Sequence, residues 1–240
     1  MKNKNDKRLI WLILIVLSVN SILYLFLYYI DYDHKFNINS YNNEEKTKIA
    51  VLDSGYSSIE DKRIKIIKLD NAENEIDQLG HGTEVITIIS ELNPNAEIFS
   101  IKILDDAGSG NKGKIYKALK WCLKNKLDII NLSFSMPNDD KGIKEILKEI
   151  DKMGTIIVSS YDNENKVSYP ANYDFVFGVK AHNRLLRKNE VFLKKGILLA
   201  YGGDNEEKTS KFNSYATARV TAFFSKRVKN KELIRRMINE

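Results

Sequence analysis

Residues 49–55 read IAVLDSG, and this short segment gives the clearest indication of how the chain folds. Its four apolar residues in succession are typical of a strand that is buried on both faces of a parallel sheet. The polar residues that follow mark a turn at the carboxyl end of that strand. Because ligands of parallel sheets bind beyond the carboxyl ends of the strands, Asp53 becomes a candidate functional residue.

Short apolar runs and amphipathic stretches alternate through the rest of the chain. The apolar runs predict strands at 49–52, 64–69, 97–104, 128–133, 155–159 and 175–179. The amphipathic stretches predict helices at 83–92, 112–125 and 141–153, with two more beginning near Ser214 and Lys231. This alternation predicts an α/β fold, in which a parallel sheet carries helices on both faces.

The composition suits one folded domain with an N-terminal addition, because the 240 residues are 43% hydrophobic. The net charge is +6, but the lysines are scattered rather than clustered, so we expect no nucleic-acid partner. A single cysteine, Cys122, excludes an intrachain disulfide and a multi-cysteine metal site. Its place in an apolar helical stripe predicts a core residue.

The segment 9–30 is nearly all apolar and would extend about 33 Å as a helix, enough to span a bilayer core of about 30 Å. Four basic residues precede it within residues 1–8, and aspartates follow it at 31 and 33. The positive-inside rule therefore predicts that residues 1–8 are cytoplasmic and that 9–30 form a transmembrane signal-anchor. A cleaved signal peptide is the alternative, although no small-residue cleavage site closes the run.

Residues 31–47 are polar and rich in asparagine, which predicts a short tether. Residues 48–240 then form the folded domain. On this interpretation the protein is a single-pass protein of the cell membrane, with the lipid bilayer as a partner of its N-terminal helix and the domain outside the cell.

Hydrolysis of an amide by serine needs a nucleophilic hydroxyl, a base, a carboxylate that orients the base and donors for the oxyanion. Three motifs offer such groups in chain order: VLDSG at 51–55, GHGT at 80–83 and NSYAT at 213–217. Taken singly, Asp53 is equally consistent with a turn former, and His81 with a structural histidine. Taken together, the motifs resemble those of the subtilases, the subtilisin-like serine peptidases.

The resemblance extends through 101–110, 128–135 and 158–164, and covers roughly residues 48–226. It implies that Asp53 orients His81, that His81 is the general base and that Ser214 is the nucleophile. Asn163 and the backbone N–H of Ser214 would form the oxyanion hole, beside a helix N-terminus that favours negative charge. The walls of the substrate pocket would be Ser133, Phe134, Ser135, Ser160, Tyr161 and Asp162.

By this resemblance the protein is a serine endopeptidase that acts on a peptide or protein substrate and needs no cofactor or metal. The predicted anchor favours a restricted substrate, such as a secreted precursor peptide. Two alternatives stay open. One is a catalytically inactive subtilase-like domain that binds a peptide segment, and the other is an unrelated anchored α/β binding domain.

The chain also departs from the family pattern. The family usually has Gly-Thr-Ser-Met-Ala-Thr-Pro around the nucleophile, whereas residues 212–218 read FNSYATA, so that Phe212 replaces a glycine. The segment 93–95 is short, so the calcium-binding loop of the family is expected to be absent, and residues 31–47 leave no room for its folding propeptide.

Tyr161 and Asp162 stand where the family has small residues that line the specificity pocket. An added carboxylate at Asp162, near Glu164, would favour a basic side chain in that pocket, because a partly desolvated charge pair is stronger than an exposed one. The alternative is that Tyr161 and Asp162 only narrow the pocket, or that Asp162 pairs with a local lysine such as Lys166.

Overall fold

The structure is a computed structural model, and it describes residues 4–30, 34–40, 46–57, 61–70, 76–164, 166–182, 187–203, 212–227 and 234. Side-chain surroundings are described for the same residues except 4–9, 26–30, 40 and 212.

A single mixed sheet forms the centre of the fold. Its strands are β1 (His34–Asn37), β2 (Thr47–Asp53), β3 (Ile64–Ile67), β4 (Ala96–Lys102), β5 (Ile129–Leu132), β6 (Ile156–Ser160), β7 (Phe177–His182), β8 (Glu190–Lys194) and β9 (Ile197–Tyr201). They lie in the order β1-β8-β9-β7-β6-β5-β2-β4-β3. Neighbouring strands are parallel from β9 to β3, whereas β8 runs antiparallel to both β9 and β1.

Helices cover both faces of this sheet. They are α2 (His81–Leu92), α3 (Lys112–Lys124), α4 (Lys141–Lys152) and α5 (Phe212–Ser225). Alternate residues of β2 enter different apolar cores: Ile49 packs in the core that includes α2 and α5, and Ala50 packs in the core that includes α3 and α4. This alternation follows from the period of two in a strand. The predicted α/β fold with helices on the sheet is therefore confirmed, but the sheet is mostly rather than wholly parallel.

An edge strand lies in the segment 31–47, for which the sequence predicts a polar tether. Here β1 pairs with β8, and the 3-10 turn Ile38–Ser40 follows it. Phe36 lies against Phe223 of α5 with 5.3 Å between ring centroids, and Ile38 is fully buried. Residues 34–40 are therefore part of the sheet and the core rather than a free tether, because Phe36 packs against Phe223 and Ile38 lies in the core that contains α5.

The N-terminal segment forms α1 (Lys4–Ile30), and the large apolar side chains from Ile10 to Leu25 are exposed. Within the part of the chain whose side chains are described, no helix combines the length and the hydropathy needed to cross a membrane. The predicted transmembrane helix at 9–30 is thus not confirmed. The helix predicted near Lys231 lies outside the described residues, apart from Ile234, which is buried.

Candidate active site

Element ends bring the predicted catalytic residues to one edge of the sheet. Asp53 is the last residue of β2, His81 is the first residue of α2, and Ser214 lies in the first turn of α5. All three side chains belong to buried residues. The carboxyl ends of parallel strands and the N-termini of the following helices meet at the same edge, so the topology explains this convergence.

The Asp53 carboxylate holds the imidazole of His81. Its Oδ1 lies 2.6 Å from Nδ1 of His81 and also accepts the backbone N–H of Ser54 at 2.7 Å. An ionised carboxylate only accepts hydrogen bonds, so the proton of the neutral imidazole lies on Nδ1. Nε2 of His81 is then the nitrogen that can take up a proton. The second oxygen, Oδ2 of Asp53, is buried and has no hydrogen-bond partner among the described residues.

A second carboxylate, Asp77, ties the turn after β2 to the start of α2. Its Oδ1 accepts the hydroxyl of Ser54 at 2.8 Å and the N–H of Gly80 at 2.9 Å. Its Oδ2 accepts the N–H and the hydroxyl of Thr83 at 2.8 and 2.7 Å. Ser54 Oγ in turn accepts the N–H of Gly82 at 2.9 Å. Burial opposes ionisation, but the hydrogen bonds from Thr83, Ser54 and Gly80 outweigh it and lower the pKa of Asp77.

Backbone packing also holds the turn after β2 against the start of α2. A Cβ atom on Gly82 would lie 2.4 Å from the carbonyl oxygen of Gly55, so only glycine allows α2 to approach the turn this closely. The Asp53 turn and the helix that carries His81 are therefore held by a close backbone contact as well as by Asp77.

Ser214 faces the same cleft as His81. Its hydroxyl lies 3.4 Å from the carbonyl oxygen of Ser133, to which it donates a long hydrogen bond. The next residue, Tyr215, stacks its ring on the imidazole of His81 at 6.0 Å between centroids and 23° between planes. Because Ser214 lies at the N-terminus of α5, the partial positive charge of the helix end favours an anion beside it.

A cleft of about 570 Å³ is lined by His81, Ser214 and Asn163 and by five of the six predicted pocket residues. These five are Ser133, Phe134, Ser135, Ser160 and Tyr161. Apolar side chains such as Leu104, Ile115 and Met136 line it as well. The cleft therefore combines a catalytic corner with a wall that can bury apolar side chains of a ligand.

Asp162 is the exception among the predicted pocket residues. It does not line the cleft, and its Oδ1 accepts the backbone N–H of Glu164 at 2.7 Å. This local bond turns the carboxylate into the loop, as aspartate commonly does two residues before an N–H in a turn. Lys166 pairs with Glu164. The Asp162 carboxylate therefore does not face the cleft in this structure, and its preference for a basic side chain of the substrate stays a prediction.

The large ring of Tyr161 can pack against strand β7 because that strand has a glycine, Gly178, at the point of contact. A Cβ atom on Gly178 of β7 would lie 2.5 Å from the Tyr161 ring, so the ring occupies the space that a side chain would need. The ammonium of Lys180 lies 4.8 Å from the centre of the same ring. The large side chain is therefore packed against β7 while it lines the cleft.

A metal site and a cysteine nucleophile are the two alternatives to a serine-based site. Within the described part of the chain, no group of three or more His, Cys, Asp or Glu side chains could hold a metal ion. Cys122 is buried in the α3–α4 core, and burial raises the pKa of its thiol, so it stays protonated and unreactive. Cys122 is therefore not a rival nucleophile to Ser214.

Sequence comparisons show which known proteins the chain resembles. Residues 44–231 match the profile of the Subtilase family. The chain is 31% identical over 150 residues to the minor extracellular protease Epr of Bacillus subtilis (strain 168), covering 57% of this chain and 23% of that protein. It is 28% identical over 191 residues to an alkaline protease of Alkalihalobacillus alcalophilus, covering 73% of this chain and 50% of that protein.

A third relative is subtilisin Savinase of Lederbergia lenta, which is 27% identical over 191 residues, covering 73% of this chain and 70% of that protein. The chain spans about half the length, or less, of several of the curated relatives it matches.

Proposed function

Because the chain belongs to the subtilase family, we propose that it is a serine endopeptidase whose nucleophile is Ser214. Asp53 orients His81, His81 acts as the general base, and Asn163 with the backbone N–H of Ser214 stabilises the oxyanion. The observation that carries this proposal is the Asp53–His81 contact of 2.6 Å, which lies beside a cleft that His81 shares with Ser214 and Asn163.

The proposed reaction has two stages. In the first, Nε2 of His81 takes the hydroxyl proton of Ser214 while Oγ attacks the scissile carbonyl carbon. The buried carboxylate of Asp53 stabilises the imidazolium, and the two N–H donors stabilise the oxyanion of the tetrahedral intermediate. His81 then protonates the leaving amine, and an acyl-enzyme remains. In the second stage a water molecule loses its proton to His81 and hydrolyses the ester, which restores Ser214.

Cleavage of a denatured protein substrate by the full chain tests this assignment. Ser214→Ala and His81→Ala are each expected to lower kcat by at least about 1,000-fold, because either change removes nucleophilic catalysis. Ser90→Ala is a matched control, since the Ser90 hydroxyl bonds the carbonyl oxygen of Thr87 within α2, away from the cleft. Activity that survives Ser214→Ala would contradict the assignment.

A catalytically inactive domain that binds a peptide segment is the second candidate. The observation that favours it is Phe212, which stands where the family has a glycine directly before the nucleophile motif. Binding of peptides with micromolar affinity by the unmodified chain, without cleavage over a day, would support this candidate and exclude the endopeptidase.

We also propose that the domain acts at the outer face of the cell membrane on a secreted precursor peptide. The support is the apolar run at 9–30 with its preceding basic residues, together with the exposed apolar side chains of α1. Protease added to intact cells should digest the domain and leave residues 1–8 protected. Protection of the domain until the cells are lysed would contradict the proposed location.

A further inference from the structure

Asn213, the residue before the proposed nucleophile, uses all of its polar atoms in the fold. Its side-chain Nδ2 donates to the carbonyl oxygens of Tyr161 and Asp162, both at 3.0 Å. Its Oδ1 accepts the backbone N–H of Ala181 at 2.7 Å. Its own N–H donates to Oδ1 of Asn163 at 3.2 Å. The residue is 7% exposed, so water competes little for these bonds.

These contacts join three elements at one point. Tyr161 and Asp162 lie in the loop after β6 and directly precede Asn163, Ala181 belongs to β7, and Asn213 itself is in the first turn of α5. A carboxamide suits this position because it offers two N–H donors and one acceptor from the same planar group. A carboxylate would offer no donor, and a hydroxyl would offer one.

The carboxamide of Asn163 must be correctly oriented if it is to act as an oxyanion donor. The residue is exposed and lies in the loop after β6. An oxyanion donor is effective only if it is held in place before charge develops, at about 2.7–3.1 Å from the oxygen. Because Oδ1 and Nδ2 belong to one rigid plane, a bond that fixes Oδ1 of Asn163 also fixes the direction of its Nδ2.

We propose that Asn213 is a positioning residue for the oxyanion hole. It anchors the backbone before Asn163 with its side chain and orients the Asn163 carboxamide with its backbone N–H. The proposal rests on the proposed function, in which Asn163 donates to the oxyanion. The family usually has threonine at this position, which cannot donate to two carbonyl oxygens, so the device belongs to this chain's own sequence.

A double-mutant cycle on the full chain tests the proposal. Asn163→Ala is expected to lower kcat by about 100-fold to 1,000-fold with KM little changed, as is usual when one oxyanion donor is removed. Asn213→Ala should lower kcat by about tenfold or more, again with KM little changed, because misplacing a catalytic donor weakens only the transition state. In the Asn163→Ala background, Asn213→Ala should cost less than about threefold, since the donor it positions is already gone.

Equal losses of kcat from Asn213→Ala in both backgrounds would overturn the proposal, because they would show that Asn213 acts independently of Asn163. Unchanged kcat in Asn213→Ala would overturn it as well. If Asn213→Ala does not fold, Asn213→Thr is measured in its place, since the family residue retains one donor and should give a smaller, equally non-additive loss. Unchanged kcat in Asn163→Ala would instead disprove the oxyanion assignment, and loss of activity in Ser214→Ala reports separately on the nucleophile.

Discussion

At the scale of single residues, the site depends on Asp77, a buried carboxylate that supports the catalytic residues from outside the triad. Asp77 accepts four hydrogen bonds from the turn after Asp53 and from the start of α2. Its two oxygens therefore fix the relative position of the two elements that carry Asp53 and His81. The role is supportive, because Asp77 acts on the reaction through the residues that it holds.

We predict that Asp77→Asn lowers kcat by between about 10-fold and 100-fold while KM changes little. The asparagine side chain has only one acceptor oxygen, so its NH2 group must face some of the N–H and O–H donors that Asp77 binds. The contact between the turn after β2 and the start of α2 should then loosen. Removing a nearby negative charge also disfavours the protonated imidazole, so the acid limb of kcat/KM should move to lower pH. Steady-state kinetics between pH 5 and 9 measures both effects.

Asp128→Asn is the matched control for this prediction. Its carboxylate also accepts a backbone N–H, that of Lys48 at 2.9 Å, but it lies at the amino end of β5, at the opposite edge of the sheet. Its pH profile should match that of the unmodified chain. A profile of Asp77→Asn that does not differ from the control would show that the Asp77 contacts have no catalytic role.

Motifs in the sequence named Asp53, His81, Ser214 and Asn163, because the residue types and their order carry that information. Asp77 lies outside these motifs, four residues before His81, so the motifs did not identify it. The direction of the Asp162 side chain could not be predicted in the same way. It depends on whether the N–H of Glu164 is available in the turn, and this is a property of the loop conformation.

At the scale of elements, Asp140 joins α3 to α4. It is the N-cap of α4, where its Oδ1 accepts the N–H of Ile143 at 3.0 Å. It also accepts the hydroxyl of Tyr116 at 3.0 Å and pairs with Lys112, both of which belong to α3. Chiefly through the bond from Lys112, the pKa of Asp140 is lowered to about 2. Since Lys112 lines the cleft, this cap also holds one wall of the site.

We predict that Asp140→Ala lowers the free energy of unfolding by about 1–2 kcal/mol at pH 7, because it removes the cap and the contacts with α3. Asp140→Asn should cost about half as much, since asparagine also caps helices. The stabilisation by the charge is complete above the usual pKa of 3.8 and is lost as pH falls toward 2. Urea unfolding at pH 7 and at pH 3 measures the free energy of unfolding of the unmodified chain and of both variants. An equal difference between the unmodified chain and Asp140→Asn at both pH values would contradict the assignment.

Strands β1, β8 and β9 were not predicted from the sequence, and the reasons differ. β8 and β9 form a hairpin whose two-residue turn, Lys195 and Gly196, has φ values of 50° and 75°. Such turns are usually recognised by Asn-Gly or Asp-Gly, so Lys-Gly gave a weak signal. β1 reads HKFN and has no apolar run at all, and its pairing is determined by the edge of β8 rather than by its own sequence. The central strands β2, β4, β5 and β6 were predictable because they are apolar on both faces. β9 is also apolar and pairs in parallel with β7, yet it was missed.

At the scale of the whole molecule, β1 and the turn after it extend the sheet and close one end of the core. Ile38 is fully buried in the core that contains α5, whose first turn carries Ser214. The folded domain therefore includes residues before the predicted boundary at 48. A fragment that begins at Lys48 would lack both β1 and Ile38.

We predict that Ile38→Ala lowers the free energy of unfolding by about 2–4 kcal/mol, the usual cost of truncating a fully buried isoleucine. Ile66→Ala is the control, because Ile66 lies in the edge strand β3 and is 48% exposed, so its loss should cost below about 1 kcal/mol. Urea unfolding of the full chain gives both values. Equal unfolding midpoints for the two variants would show that the N-terminal strand is not part of the stable core.

The most direct test of Ser214 as an activated nucleophile is the mass of the full chain after reaction with a fluorophosphonate. This reagent bonds covalently to an activated serine. We expect one adduct per chain, located by peptide mapping on Ser214, and at least about 100-fold slower labelling of His81→Ala, because a serine without its base is a weak nucleophile. An adduct on any other residue, or labelling of Ser214→Ala at the rate of the unmodified chain, would contradict the account.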